Sequence, residues 1–242
     1  MAFDPDRREV LARARAAGVE RMLTVGTDLD SSRAAVALAE RYDGVYAAVA
    51  IHPHAAASAS PDTLAALGEL ARHPRVVAVG ETGLDFGGRS APVEAQREAL
   101  RAHQALAHER GLPLILHCRD AHEALLEMLA GVDTPVVMHA FSGSLEVARE
   151  CAARGYLISL AGPITFTRAD RLAAVARAVP VSGLLVETDA PVLTPHPHRG
   201  RRNEPAYLRY IVERVAVIRG EDVDVVGEMT EGNAMRVFGI VH

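Results

Sequence analysis

The sequence predicts an α/β protein of the TIM-type (β/α) barrel class, folded as a single domain over residues 1–242. Short runs of β-branched and aliphatic residues alternate with longer amphipathic stretches along the chain. Most of the short runs are apolar throughout, as expected when helices cover one face of a parallel sheet and a barrel interior covers the other. This alternation favours a parallel sheet with right-handed crossovers. A chain of 242 residues suits one barrel, which typically takes about 250.

The pattern divides into seven predicted strands with helices between them. The predicted strands are Met22–Val25, Tyr46–Ile51, Val76–Val79, Leu114–Leu116, Val136–Met138, Leu157–Leu160 and Leu184–Val186. The predicted helices include Ser31–Arg41, Pro92–Arg110, Ala121–Leu129, Leu145–Ala153 and Arg168–Ala178.

The first predicted element is a helix rather than a strand. Asp4 is a suitable capping residue, Pro5 fits the first helical position, and Asp6 lies in the first turn. The residues before Pro5 are too few for a strand and its loop at about 3.3 Å per residue. An eight-stranded barrel that begins at its second element has this pattern, although a doubly wound open sheet can also begin with a helix.

Composition excludes several classes of protein. Hydrophobic residues make up 49% of the chain and aromatic residues 4%, with no Trp, so the core must be built from Ala, Val, Leu and Ile. The formal net charge of −5 means that a polyanionic partner would need a local basic cluster. Two cysteines, Cys118 and Cys151, are typical of a reducing compartment rather than a disulfide scaffold. No apolar run approaches the roughly 18 residues of a membrane span, and the MAFDPDRR segment lacks a signal-peptide core. We therefore expect a cytoplasmic monomer or weak oligomer with no membrane partner.

Imidazole and carboxylate side chains directly follow several predicted strands. These residues are His52 and His54, Glu81, His117, His139, and Glu187 with Asp189. In a barrel the reactive groups lie on the loops after the strands, so these side chains are predicted to meet at one edge. A mixed nitrogen and oxygen ligand set suits zinc, manganese or magnesium ions.

Each of these residues also has an ordinary structural interpretation. A single His at a strand end is more often a hydrogen-bonded surface or core residue than a ligand. Glu81 alone could cap a helix or form an ion pair, and Asp189 before Ala-Pro could open a turn. Several such residues on one rim favour a binding site, because burying that many polar groups without a ligand is costly. By contrast, His103 falls at helical spacing between Leu100 and Leu106 and is predicted to pack inside a helix.

A long polar loop is predicted from Asp189 to Glu204. Loops beyond about 12–15 residues are usually functional or disordered. This one carries Arg199, Arg201 and Arg202, whose guanidinium groups can bind phosphate in a bidentate manner. The alternative is a solvated surface loop. Arg119, which follows His117 by two residues, is a second candidate for a phosphate contact.

Five sequence blocks resemble the successive signature motifs of the TatD metal-dependent deoxyribonucleases. They are GETGLDF, LILHCRDA, HAFSGS, ETDAPVLTP and RGRRNEPAYLRYI, and the earlier segments VGTDLDSS and IHPH also match. The resemblance runs from about Phe3 to the C-terminus, with Ala50 standing where the family usually has Gly. It implies a barrel related to the amidohydrolases, in which two divalent cations hydrolyse phosphodiesters of DNA from an end.

The resemblance also implies roles for individual residues. It places Glu81, His117, His139 and Asp189 on metal-ligand positions, for one or two zinc, magnesium or manganese ions. We expect Asp189 also to accept the proton of the attacking water. The residues expected to position the phosphate backbone are His52, Arg119, Arg199 and Arg201, together with Arg202. Because phosphate contacts carry little sequence information, weak base specificity is expected.

One family motif is missing from the sequence. The His-x-His pair that ends the family's first strand has no counterpart, and the FDPDR segment that follows it begins at residue 3. We therefore expect the chain to begin late, either because of a misassigned start or because of a real truncation, and to hold at most one metal ion tightly.

Two alternatives remain at the level of sequence. One is hydrolysis of a different ester in a similar metal site, such as an aminoacyl ester on tRNA. The other is a catalytically impaired remnant that only binds nucleic acid or protein. Metal content separates them, because two ions per chain would exclude the remnant.

Overall fold

A computed structural model describes residues 2–88 and 90–240. The strands of this part of the chain are β1 (Met22–Val25), β2 (Val45–Val49), β3 (Val76–Asp85), β4 (Leu114–Arg119), β5 (Val136–Met138), β6 (Leu157–Leu160) and β7 (Leu184–Val186). Its helices are α1 (Arg7–Ala16), α2 (Leu29–Arg41), α3 (Pro61–Leu70), α4 (Val93–Arg110), α5 (His122–Met128), α6 (Leu145–Ala153), α7 (Asp170–Ala178), α8 (Leu208–Arg219) and α9 (Val223–Val237). None of the helices within these residues is both long and apolar enough to cross a bilayer.

The chain divides into two compact units. The first, called the five-stranded unit, comprises Arg21–His139 with residues 236–240. Its strands β1 to β5 pair in sequence order, and every pairing is parallel. The second, called the two-stranded unit, comprises residues 2–20 with Ala140–Met235 and contains the parallel pair β6–β7. The parallel pairing predicted from the alternation is present in both units.

Two strands of the five-stranded unit are longer than the sequence pattern predicts. β3 continues to Asp85 and β4 continues to Arg119, because Gly83 pairs with His117 and Asp85 pairs with Arg119. The register of this pairing shifts between Val79 and Thr82. Glu81 and His117 were expected to follow their strands, and this expectation is wrong. Both residues lie inside strands, since the β3–β4 ladder resumes after the irregularity.

The first helix begins later than its capping signals predict. α1 starts at Arg7, with Asp6 at the N-cap position, and the Asp6 side chain makes no capping hydrogen bond. Its carboxylate instead accepts hydrogen bonds from the guanidinium of Arg202, at 2.8 and 2.5 Å. Asp4 forms an ion pair with Arg7. Asp4 and Asp6, which the sequence predicted at the start of the helix, therefore both form ion pairs.

His103 is a packed residue of α4, as predicted, and is fully buried. Its Nε2 accepts the backbone N–H of Ile51 at 3.0 Å, and its Nδ1 donates to the carbonyl of Ala99 at 2.6 Å. These two bonds require the neutral tautomer that carries its proton on Nδ1. Burial lowers the pKa of His103 to about 4, although the Ala99 carbonyl opposes the shift. The His103 ring thus holds the backbone of Ile51, the residue directly before His52.

We expect His103 to make folding stability depend on pH. The group binds its proton more weakly in the folded state, so its contribution is complete above the unfolded pKa of 6.5 and is lost as the pH falls toward 4. Between pH 7 and pH 4, the wild type should lose about 3 kcal/mol more unfolding free energy than His103→Gln. Urea denaturation at several pH values measures both curves. Parallel curves would contradict the assignment.

Gly83 allows β3 to lie directly against β4. Its φ is 137°, and a Cβ there would come closer than 3.0 Å to the carbonyl oxygen of His117. Gly83→Ala should therefore destabilise the fold by about 3 kcal/mol. The matched control is Gly68→Ala in α3, where the added Cβ would lie 3.8 Å from Leu106 and helix propensity favours Ala. Equal melting temperatures for the two variants would contradict this account.

Candidate metal centre

Three side chains of the five-stranded unit form a cluster suited to a cation. One ligand atom each from His52, Glu81 and His117 lies within 4.8 Å of the others. The Glu81 carboxylate is central to it: its Oε1 is 2.9 Å from Nδ1 of His117 and 3.6 Å from Nε2 of His52. His139, directly after β5, brings its Nε2 to 3.5 Å from the same oxygen. The sequence therefore predicted correctly that Glu81, His117 and His139 lie together.

Local structure fixes the orientation of His52. The residue follows β2 and is the N-cap of a short 3-10 helix, Pro53–Ser58. Its Nδ1 accepts the backbone N–H of His54 at 3.2 Å, which leaves Nε2 directed at Glu81. The ring packs edge-on against those of His54 and His117, with centroids 4.4 and 4.5 Å away. The sequence assigned His52 to the substrate, whereas the geometry makes its nitrogen available to an ion.

The low pKa of the Glu81 carboxyl favours its ionised form, although the side chain is largely buried. Burial opposes its negative charge, but His139, His117 and His52 outweigh that effect and hold the pKa of the Glu81 carboxyl well below its usual range. The centre therefore contains a carboxylate anion surrounded by imidazole nitrogens. A divalent cation is the natural counterion for such a set of ligands.

Asp85 and His54 belong to the same group of side chains. Asp85 was not predicted to lie there, whereas His54 was expected at this edge of the sheet without an assigned role. Oδ2 of Asp85 is 3.1 Å from Nε2 of His117 and 3.2 Å from Nε2 of His54. Asp85 is almost fully buried, and burial opposes its charge, but the Gly87 N–H, His117 and His54 lower the pKa of its carboxyl. The spacing Glu81–Gly83–Asp85 could have indicated that Asp85 lies beside Glu81, because alternate residues of a strand share a face.

The imidazole of His117 lies between two carboxylates. The number of protons that this ring can carry indicates whether a cation fits beside it. Nδ1 faces Glu81 at 2.9 Å and Nε2 faces Asp85 at 3.1 Å. A neutral imidazole donates from only one nitrogen, so the other would face a carboxylate oxygen with no proton between them. An ion on the Glu81 side relieves that repulsion while Asp85 accepts the remaining N–H, which is the usual arrangement for a metal-binding His. The residues present therefore fit a divalent cation.

Asp189, predicted as both ligand and base, belongs to the two-stranded unit. It follows β7 after two residues and has a φ of 55°, and its carbonyl accepts the N–H of Val192. Its neighbour Glu187 has a structural role: Oε1 accepts the N–H of Ala140 at 2.9 Å and Oε2 accepts the hydroxyl of Ser159 at 2.5 Å. The placement of Asp189 beside the metal cluster stays a prediction.

The long polar loop, Asp189–Glu204, carries the predicted arginines, but they differ in whether their guanidinium groups are paired with carboxylates. Arg202 makes the two hydrogen bonds to Asp6 and lies over the ring of Phe3, 4.8 Å from its centroid. Asp6 therefore pairs with the Arg202 guanidinium in this structure, and a phosphate contact by Arg202 stays a prediction. Arg201 is exposed, and its backbone N–H and carbonyl form hydrogen bonds with His198 and Thr194.

Arg199 and Arg119 have exposed side chains, as a phosphate contact requires. The guanidinium of Arg199 lies 3.7 Å from the ring centroid of Phe166. Arg119 ends β4, and its carbonyl accepts the N–H of Phe86 at 2.9 Å. Substrate contacts by Arg119, Arg199 and Arg201 stay predictions.

A parallel α/β scaffold with clustered imidazoles and a carboxylate, in its strands and directly after them, is typical of a class, the metal-dependent hydrolases. The TatD related DNase family model matches residues 1–239. A metal-dependent hydrolase of Bacillus subtilis (strain 168), YabD, is 42% identical over 241 residues, covering 98% of this chain and 94% of that protein. The 3'-5' ssDNA/RNA exonuclease TatD of Klebsiella pneumoniae (strain 342) is 41% identical over 246 residues, covering 98% and 94%. The chain belongs to the TatD-related DNase family.

Solved structures agree with this assignment. The crystal structure of YjjV, a TatD homologue from Escherichia coli K12, matches with a TM-score of 0.94 at 34% identity, covering 99% of this chain and 94% of that one. A TatD family hydrolase from Entamoeba histolytica matches with a TM-score of 0.86 at 20% identity, covering 96% and 89%, and shows the fold alone. The predicted TIM-type barrel class and the predicted TatD-type metal-dependent hydrolase are both confirmed.

We expect Asp85→Asn to weaken metal binding while leaving the fold intact. The backbone of Asp85 is held on both sides by Gln96, at 2.8 and 3.0 Å, so the strand should tolerate the change. Loss of the charged partner of His117 should lower the affinity for Zn²⁺ or Mn²⁺ about 10- to 100-fold. Competition with a chromophoric chelator measures this affinity, with Asp62→Asn on the exposed face of α3 as the matched control. Wild-type affinity in Asp85→Asn would contradict the positioning role.

Proposed function

We propose that this protein hydrolyses phosphodiester bonds of single-stranded nucleic acid, DNA in particular, from an end. The observation that carries the proposal is the ionised Glu81 carboxylate among three imidazoles. Relatives about 40% identical over most of the chain are named 3'-5' ssDNA/RNA exonucleases, which supports both the substrate class and the direction of cleavage. The exposed arginines Arg119, Arg199 and Arg201 suit a polyanion.

The residues proposed to hold one or two divalent ions are Glu81, His117, His139 and Asp189, with His52 added on its geometry. When bound, such ions polarise the phosphoryl group and lower the pKa of water. Glu81 contributes the negative charge, and Asp85 keeps His117 oriented through its second nitrogen. Asp189 accepts the proton from the attacking water. The arginines hold phosphate oxygens without reading bases, so the enzyme degrades many sequences at similar rates.

A cytoplasmic location is part of the proposal. Within the described residues neither Cys118 nor Cys151 forms a disulfide, which suits a reducing compartment. The monomeric or weakly associated state and the identity of the metal stay predictions.

Asp189→Asn should abolish hydrolysis with little loss of stability. Asn is one of the few residues that tolerate a positive φ such as the 55° of Asp189, so the backbone can be kept. Removing a ligand and proton acceptor should lower kcat by at least about 10²- to 10⁴-fold. Kinetics on a single-stranded oligonucleotide and thermal melting measure the two effects, and Asp62→Asn serves as the control. A wild-type kcat would show that Asp189 is neither ligand nor base.

A substrate panel tests the proposed activity itself. Single-stranded DNA, duplex DNA, RNA and an aminoacyl-tRNA are incubated with the protein and Mn²⁺, Mg²⁺ or Zn²⁺, using oligonucleotides labelled at either end. We expect stepwise shortening from the 3' end of single strands and slower cleavage of the duplex. Preferred cleavage of the aminoacyl ester, or no cleavage with two bound ions per chain, would refute the proposal.

A further inference from the structure

The two-stranded unit contains a groove that is lined by aromatic and basic side chains. It has a volume of about 350 Å³ and lies between the segment after β6 and the long loop. The side chains that the argument uses are Phe166, Arg168, Arg171 and Arg199. Its size falls at the lower end of small-ligand pockets, roughly 300–1,000 Å³, and suits one nucleotide.

The aromatic wall is a stacked pair. The guanidinium of Arg199 lies 3.7 Å from the ring centroid of Phe166, and His196 meets the ring edge-on at 6.1 Å. His196 is itself fixed by a hydrogen bond from its N–H to the hydroxyl of Thr165, at 2.9 Å. A guanidinium stacked on a ring is a flat, positively charged platform, which favours stacking of a nucleobase.

The basic wall consists of cations that the protein does not neutralise. Arg168 and Arg171 are exposed and, among residues 2–88 and 90–240, neither forms an ion pair. Several other arginines of this unit are paired, among them Arg13 with Glu204, Arg202 with Asp6 and Arg154 with Glu150. Asp170, in the first turn of α7, reduces the local charge but leaves three arginines on the groove. The groove therefore carries positive charge in a chain whose net charge is −5.

We propose that this groove binds one nucleotide of a single-stranded nucleic acid, other than the nucleotide being released. The base stacks on the Phe166–Arg199 pair, while Arg168 and Arg171 contact the adjoining phosphates. A duplex does not expose base faces for such stacking, so the groove selects single strands. The inference rests on the proposed function and adds a subsite built from residues outside the metal centre.

The first test measures binding without catalysis. The affinity for fluorescein-labelled dT12 is determined in EDTA at several NaCl concentrations, for wild type, Phe166→Leu and the pair R168Q/R171Q. The matched control pair is R8Q/R101Q, which removes the same charge from exposed helix positions with no ion pair in the described residues.

The plot of the logarithm of the association constant against the logarithm of the NaCl concentration has a slope, called the salt slope. We expect the groove pair, R168Q/R171Q, to reduce the size of this slope by up to about 1.4, that is about 0.7 for each lost phosphate contact. Phe166→Leu should weaken binding about 5- to 100-fold and leave the salt slope unchanged. The control pair should keep nearly wild-type affinity. Equal affinity and slope in the groove and control pairs, or no binding of dT12 by the wild type, would overturn the subsite.

The second test separates this subsite from the catalytic proposal. Hydrolysis of dT12 and of a thymidine nitrophenyl phosphate ester, which has no flanking nucleotide, is followed with Mn²⁺. Groove variants should lose about tenfold or more in kcat/KM on dT12 and keep the wild-type rate on the small ester. Equal losses on both substrates would overturn the subsite. Binding of dT12 through the groove without any hydrolysis would refute the proposed activity and leave the subsite standing.

Discussion

One carboxylate oxygen atom, on the largely buried side chain of Glu81, organises the metal centre of this protein. Oε1 of Glu81 is approached by nitrogens of His117, His139 and His52 at 2.9, 3.5 and 3.6 Å. A buried carboxylate with no cation nearby would be strongly penalised, so its ionisation depends on these imidazoles. His117 lies on β4, His139 directly follows β5, and His52 lies in the turn after β2. The positions of the three nitrogens therefore depend on the register of those strands.

The surrounding protein fixes that register through contacts that take no part in the chemistry. His103 holds Ile51 immediately before His52, and Gln96 holds both backbone groups of Asp85. Gly83 allows β3 to approach the His117 backbone more closely than any side chain would permit. Ligands on strands supported in this way lose little freedom when an ion binds, which is how a metal site reaches useful affinity.

Two sets of arginines in the two-stranded unit differ in whether a carboxylate neutralises them. Arg13 and Arg202 pair with Glu204 and Asp6, so they join α1 to the end of the long loop. Arg168, Arg171 and Arg199 remain available on the groove. The division explains how an acidic protein can present a small basic surface to a polyanion, since the carboxylates neutralise some arginines and leave others.

The sequence alone determined the strand and helix alternation, the family, and the meeting of Glu81, His117 and His139, because periodicity and motifs are local properties of the chain. Tertiary structure decided the rest. Asp85 faces His117 because of the β3–β4 register, His54 reaches Asp85 through the turn after β2, and Arg202 of the long polar loop pairs with Asp6. Strand register and ion pairs between residues distant in sequence depend on the packed chain. A local pattern such as the alternate spacing of Glu81 and Asp85 indicates a shared face, but it does not identify the partner on the neighbouring strand.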